Sequence, residues 1–252
     1  MTSSRLVAMR ALAALALSLA AAGCSDATGA RARPVTLSVT AASPAPSAAV
    51  APFAAGPQSI TLSSGGNTLV ISKAQLVLSK IELAPSSAAT CSGTGDDGCD
   101  DIELAPVLLD LPVDGTTKVG LSAMVPEGSY SALEAKVEAV TSGEDNAAAF
   151  LAAHPDFAGV SVRVEGTYNG APFVYTGSAE AEIEMSFPSP VTVDAGTSNL
   201  TIDVDLSSWF KDGTGSVVDP ADGANASLIA DNIRRSLRAF EDDNKDGVAD
   251  SH

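Results

Sequence analysis

The sequence predicts a mainly β protein, an antiparallel β-sandwich, on three observations. Apolar residues recur at every second position in a succession of short runs, glycine and aspartate punctuate those runs, and helical spacing shows in only two places. Short strands at such spacing, with no helices between them, argue for packed antiparallel sheets rather than βαβ units. A connecting helix and a C-terminal amphipathic helix complete the expected architecture.

In chain order, the first signal is Val35-Thr-Leu-Ser-Val-Thr40, which alternates apolar and hydroxyl residues and reads as an edge strand at 35–40. Leu69 and Ile71 follow with the same period, then Leu133, Ala135 and Val137. Asp145 to Ala153 is rich in alanine and stops at His154-Pro155, because a residue before proline is pushed out of the helical region; this is the connecting helix. Val160, Val162 and Val164 begin a strand that returns through Tyr168-Asn169-Gly170 to place Phe173 and Tyr175 on one face. Asn-Gly supplies the two positive φ angles that a tight hairpin needs, so 162–175 is predicted as a hairpin. Ile183, Met185 and Phe187 continue the pattern. Leu200, Ile202, Val204 and Leu206 then alternate with Thr201, Asp203 and Asp205, which predicts one buried and one solvated face. From Ser227 to about Phe240, Ile229, Ile233, Leu237 and Phe240 recur at spacings of four and three, which predicts the amphipathic helix.

The N-terminus carries a different signal. Arg5 and Arg10 precede an apolar run from Ala11 to Ala22 that is too short to cross a bilayer, and Leu19-Ala-Ala-Ala-Gly-Cys24 follows it. That stretch resembles the lipobox of bacterial lipoproteins, with Ala21 where the pattern usually has leucine. The resemblance implies removal of residues 1–23 and acylation of Cys24, which anchors the protein to a membrane. Ser25 after the cysteine implies, by the same resemblance, the outer membrane of the cell envelope. The other reading is cleavage after Ala20-Ala-Ala22, releasing a soluble protein. The chain then divides into a signal peptide at 1–23, an Ala/Pro/Ser-rich tether at 24–58, a sandwich domain at 59–225, and a helix with an acidic tail at 226–252.

The 252 residues carry a net charge of −17; without residues 1–23, twelve Lys and Arg stand against 31 Asp and Glu, a net charge of −19. Such a surface repels phosphates, which excludes nucleic acid as a partner and leaves membrane association to a lipid. It favours divalent cations and basic partners, or serves solubility alone.

Cys91 and Cys99 bracket Ser-Gly-Thr-Gly-Asp-Asp-Gly, and outside the cytoplasm two thiols so close in a glycine-rich loop are expected to form a disulfide. Metal chemistry is indicated elsewhere. Asp242-Asp-Asn-Lys-Asp-Gly-Val-Ala-Asp250 resembles the opening of a calcium loop: side-chain oxygens of Asp242, Asn244 and Asp246 at the first, third and fifth places, glycine at the sixth, the Val248 carbonyl at the seventh and Asp250 at the ninth. The acid of the twelfth place has no counterpart, since the sequence ends at His252, so the expectations are a weak, incomplete Ca2+ site or a solvated acidic tail.

No G-x-S-x-G elbow, H-E-x-x-H pair or phosphate-cradling glycine loop occurs in the sequence, and the two histidines, His154 and His252, stand in unrelated contexts. Asp203 and Asp205 are the clearest carboxylate pair, and Tyr168, Tyr175, Trp209 and Phe210 are the aromatic candidates for sugar stacking. Val125-Pro-Glu-Gly-Ser-Tyr130, preceded by Val107-Leu-Leu-Asp-Leu-Pro112, resembles the P-x-G-x-Y turn of exported prealbumin-like domains. With Phe157 to Arg163, Trp209-Phe210 and Arg238 to Asp243, the stretch 59–250 resembles bacterial lipoproteins of unknown function. That resemblance implies a sandwich, an anchor and an envelope location, and no catalytic residue. The expected function is a lipid-anchored, non-enzymatic envelope protein that presents its sandwich for binding or structural contacts with an envelope protein or glycan. The alternatives are an envelope hydrolase with a carboxylate-based site and a glycan-binding module.

Overall fold

In the computed structural model the description covers residues 32–41, 59–86, 105–143, 146–178, 180–195 and 199–250, without the side chains of Ala181 and Ile183. Two sheets share one core. The first has the order β11(Leu237–Glu241), β10(Asn199–Val204), β1(Ala32–Thr40), β5(Thr117–Pro126). The second runs β8(Ala171–Gly177), β7(Val162–Tyr168), β3(Asn67–Pro85), β6(Gly128–Val137), β9(Ala181–Val193), with β2(Ile60–Ser64) and β4(Val107–Leu111) also paired to β3. The β-sandwich read from the sequence is therefore observed. Among the described residues all pairings are antiparallel but one: β1 runs parallel to β10, with Thr36 opposite Asn199 and Thr40 opposite Asp203.

The inner faces meet as the period-two pattern requires. Val35, Leu37, Val39, Leu200, Ile202 and Val204 from the first sheet pack into the same cluster as Leu69, Ile71, Leu76, Leu78, Leu133, Val162 and Val164 from the second. The 19-residue β3 is the spine. Its positions in that shared core fall at 69 and 71, then 74, 76 and 78, then 81 and 83. The two changes of phase coincide with register shifts at Ile71/Lys73 against β7 and at Leu78/Lys80 against β6. A bulge inserts one residue and so restores the apolar set to the core side.

Local chemistry closes the strands where expected. Asn169 and Gly170 have φ of 50° and 83°, the two positive values of a type I′ turn, and join β7 to β8 as predicted. Val160 precedes β7 and is only half-buried, so that strand starts at Val162. At the Pro126–Tyr130 turn the Tyr130 hydroxyl donates to the Pro126 carbonyl at 2.9 Å, which fastens the start of β6 to the end of β5. Helix α1(Ala147–Ala153) agrees with the connecting helix. Ala147 and Phe150 form a small second cluster with Val77, Val140 and Phe157, which covers the outer side of β3. A short helix α2(Leu206–Trp209) and α3(Ala226–Arg235) lie between β10 and β11.

Three expectations need correction. The strand at 35–40 is no edge: it lies between β10 and β5, because its hydroxyl face is covered and its backbone is paired on both sides. Residues 24–58 thus include an interior strand of the sandwich and are not wholly a tether. The C-terminal helix ends at Arg235, and Leu237–Glu241 is a strand paired to β10, with Arg238 opposite Asp203. Leu237 satisfies both the helical repeat of Ile229 and Ile233 and the alternation with Ala239. Backbone pairing along β10 decides in favour of the strand, so 226–250 belongs to the sandwich and is no appendage.

Candidate functional site

The C-terminal loop after β11 is the place where sequence chemistry and structure meet. Asp242 is fully buried. Its Oδ1 accepts the Asp246 N–H at 3.0 Å, and its Oδ2 accepts both the Gly247 N–H at 3.0 Å and the Thr201 hydroxyl at 2.8 Å. The Asn244 side-chain carbonyl also accepts the Asp246 N–H at 2.8 Å, Asp246 Oδ1 accepts the Val248 N–H at 2.9 Å, and Asp250 Oδ2 accepts the Asp243 N–H at 2.8 Å. Lys245 and Gly247 take the left-handed region at φ 60° and 81°. A Cβ on Gly247 would stand 2.9 Å from Thr117 Oγ1 and 3.4 Å from Thr40 Oγ1, so the loop lies back across the first sheet.

Beneath the loop is a polar array on the outer face of that sheet. Ser38, Thr40, Asn199 and Thr201 are all buried. The Ser38 hydroxyl donates to Asn199 Oδ1 at 2.7 Å; Asn199 Nδ2 donates to Thr201 Oγ1 at 3.0 Å and to the Asp242 carbonyl at 2.7 Å; the Thr201 hydroxyl donates in turn to Asp242 Oδ2. Each donor is matched, and the chain of hydrogen bonds ends on the one group that only accepts. Sequence reasoning missed Ser38, Asn199 and Thr201 because alternation marks them as solvent-facing. The hydroxyl run Thr36, Ser38, Thr40 was the one available signal that this face is special.

Of the five predicted calcium ligands, Asp242 lies inside, Asn244, Asp246 and Val248 are exposed, and Asp250 is half-buried. Their oxygens suit a hard cation. Among the described residues, however, no group of three or more His, Cys, Asp or Glu is placed to hold a metal ion, and Asp242, Asn244 and Asp246 act as acceptors for the loop's own N–H groups. The solvated-tail expectation is corrected, since the loop is folded around a buried carboxylate. Next to it, between β9 and β11, a cleft of about 460 Å³ is lined by Pro188, Thr192, Asp194, Phe240, Glu241 and Asp243, among others.

Asp205 caps α2, its Oδ1 accepting the Ser207 N–H at 3.0 Å and the Ser207 hydroxyl at 2.6 Å. Asp203 is half-buried on the strand face opposite Arg238. His154 ends α1 with its ring 4.9 Å from that of Phe150. Trp209 and Phe210 are fully buried and Tyr175 nearly so; the Trp209 indole donates to Ser236 Oγ at 2.7 Å, and Phe210 meets Phe173 and Tyr175 edge to face. Of the aromatic candidates for sugar stacking only Tyr168 keeps part of its surface. Asp212 holds a turn: hydrogen bonds from the Thr214 hydroxyl first, then from the Ser216 and Thr214 N–H groups, keep its carboxyl below the usual value of 3.8. Cys24, Cys91 and Cys99 lie outside the described residues.

No family model matches the chain, and no curated protein matches it. Among solved structures, MbnP from Methylosinus trichosporium is similar at 19% identity over 77% of this chain and 82% of that one, with a TM-score of 0.36. Superposition of that quality transfers neither chemistry nor partners.

Proposed function

We propose that the protein is a lipid-anchored, non-enzymatic component of the bacterial cell envelope, held at the outer membrane through Cys24, whose β-sandwich makes binding or structural contacts with an envelope protein or glycan. The observation that carries this reading is Leu19–Cys24 behind Arg5, Arg10 and an apolar run. In support, two of the carboxylates that the sequence singles out are engaged within the fold: Asp205 as the cap of α2, and Asp242 by the loop N–H groups and Thr201. Expressed in a diderm host, the wild type partitions into the detergent phase and Cys24→Ala into the aqueous phase. Equal partitioning of the two overturns the anchor.

A second reading concerns the loop. The order Asp242, Asn244, Asp246, Gly247, Val248, Asp250 and the turn already formed by the Gly247 N–H on Asp242 support weak Ca2+ binding there. Binding to the folded state raises the melting temperature by mass action. Millimolar Ca2+ therefore raises Tm in the wild type and leaves Asp246→Ala unchanged; identical Tm in the wild type with and without Ca2+ removes calcium from the function.

A further inference from the structure

The path of β1 determines which end of the sandwich faces the bilayer. Resting on the lipid-anchor reading above, we propose that the end holding the start of β1 lies against the membrane and the opposite end is presented outward. The two ends are well defined. At the first, Ala32 stands opposite Pro126, Arg33 pairs with Glu127 through its Nε at 2.6 Å, Ser86 donates its N–H to Ser129, and Gly128 faces Val193. At the second lie the Gly65-Gly66 turn, the Asn169-Gly170 turn, whose Asn169 N–H reaches Thr68 at 2.8 Å, and the 212–217 segment, whose Val217 carbonyl accepts from Asn67 at 3.0 Å.

Only seven residues separate Cys24 from Ala32. A chain of seven residues reaches about 29 Å when fully stretched, and a flexible one of that length spans roughly 15 Å. The nine residues of β1 are themselves about 30 Å long. To bring the second end to the lipid, the linker would have to run back along the whole height of the sandwich at full extension, at a high entropic cost. Placing the first end at the lipid needs no extension. Because β1 is hydrogen-bonded on both sides, it cannot peel away to lengthen the linker without breaking the first sheet. The surface that a soluble partner meets is then the end with the three turns.

The test uses the full-length lipidated protein in vesicles of phosphatidylethanolamine and phosphatidylglycerol doped with a headgroup spin-labelled lipid. In a Cys91→Ser, Cys99→Ser background, single fluorophores are attached at Ser86→Cys or Ala195→Cys for the first end and at Ala171→Cys or Gly213→Cys for the second; all four sites are exposed. Quenching is several-fold stronger at the first pair, and inserting about twenty Gly/Ser residues between Gly29 and Ala30 erases the difference. Two sites at each end protect the result against a variant that fails to fold. Equal quenching at both ends of protein that floats with the vesicles overturns the orientation and leaves the anchor standing. Failure to float overturns the anchor and the orientation with it.

Discussion

Asp242 shows how a residue type that sequence assigns to a ligand or to solvent becomes a structural hub. A carboxylate offers about four acceptor sites and no donor, which matches two convergent N–H groups and the Thr201 hydroxyl. Removing it strands those donors under the loop. Asp242→Ala is therefore expected to destabilise the protein by about 2–4 kcal/mol in urea unfolding, whereas Asp246→Ala, at an exposed site, costs under about 1 kcal/mol. Equal costs would show that burial of Asp242 contributes nothing. The acidic pattern of 242–250 was legible in the sequence. The partner that buries it was not, because Thr201 is 41 residues away and its position on β10 marks it for solvent.

At the scale of elements, β3 explains both the success and the limits of reading by period. Leu69 and Ile71 announce the strand, but its two bulges shift the buried set by one residue each time, so no single phase spans 67–85. Bulges arise from pairing with β7 and β6, which a local window does not contain. Gly166 sits opposite the first bulge, where an added Cβ would fall 1.8 Å from the Val70 carbonyl oxygen. Backbone cannot yield as a side-chain tip can, so Gly166→Ala is expected to cost about 2–4 kcal/mol, read as a lower urea midpoint at unchanged slope. Gly213→Ala, with open space around it, is the control and leaves the midpoint within error. The segment 237–241 is the converse case. Five residues are too few for periodicity to separate helix from strand, and Leu237 fits both.

For the whole molecule, the decisive fact is that the chain enters the sandwich early and leaves it late. β1 fills the gap between β10 and β5, and β11 closes the other side of β10. A fragment beginning at Ser59, the boundary that composition suggests, lacks an interior strand and exposes the inner residues of β10 and β5. It is expected to show no cooperative thermal transition, while a fragment beginning at Ser25 melts as the full protein does. A cooperative transition in the shorter fragment would show that β1 is dispensable. By itself the sequence determined the fold class, the Asn169-Gly170 hairpin and the connecting helix. Each of these is written in neighbouring residues, through side-chain period or turn chemistry. Only the tertiary structure decided that β1 is interior and parallel to β10, that 237–241 is a strand, and that Ser38, Asn199, Thr201 and Asp242 form one buried array. Those outcomes depend on backbone and side-chain partners far apart along the chain, and no local pattern encodes which of them will meet.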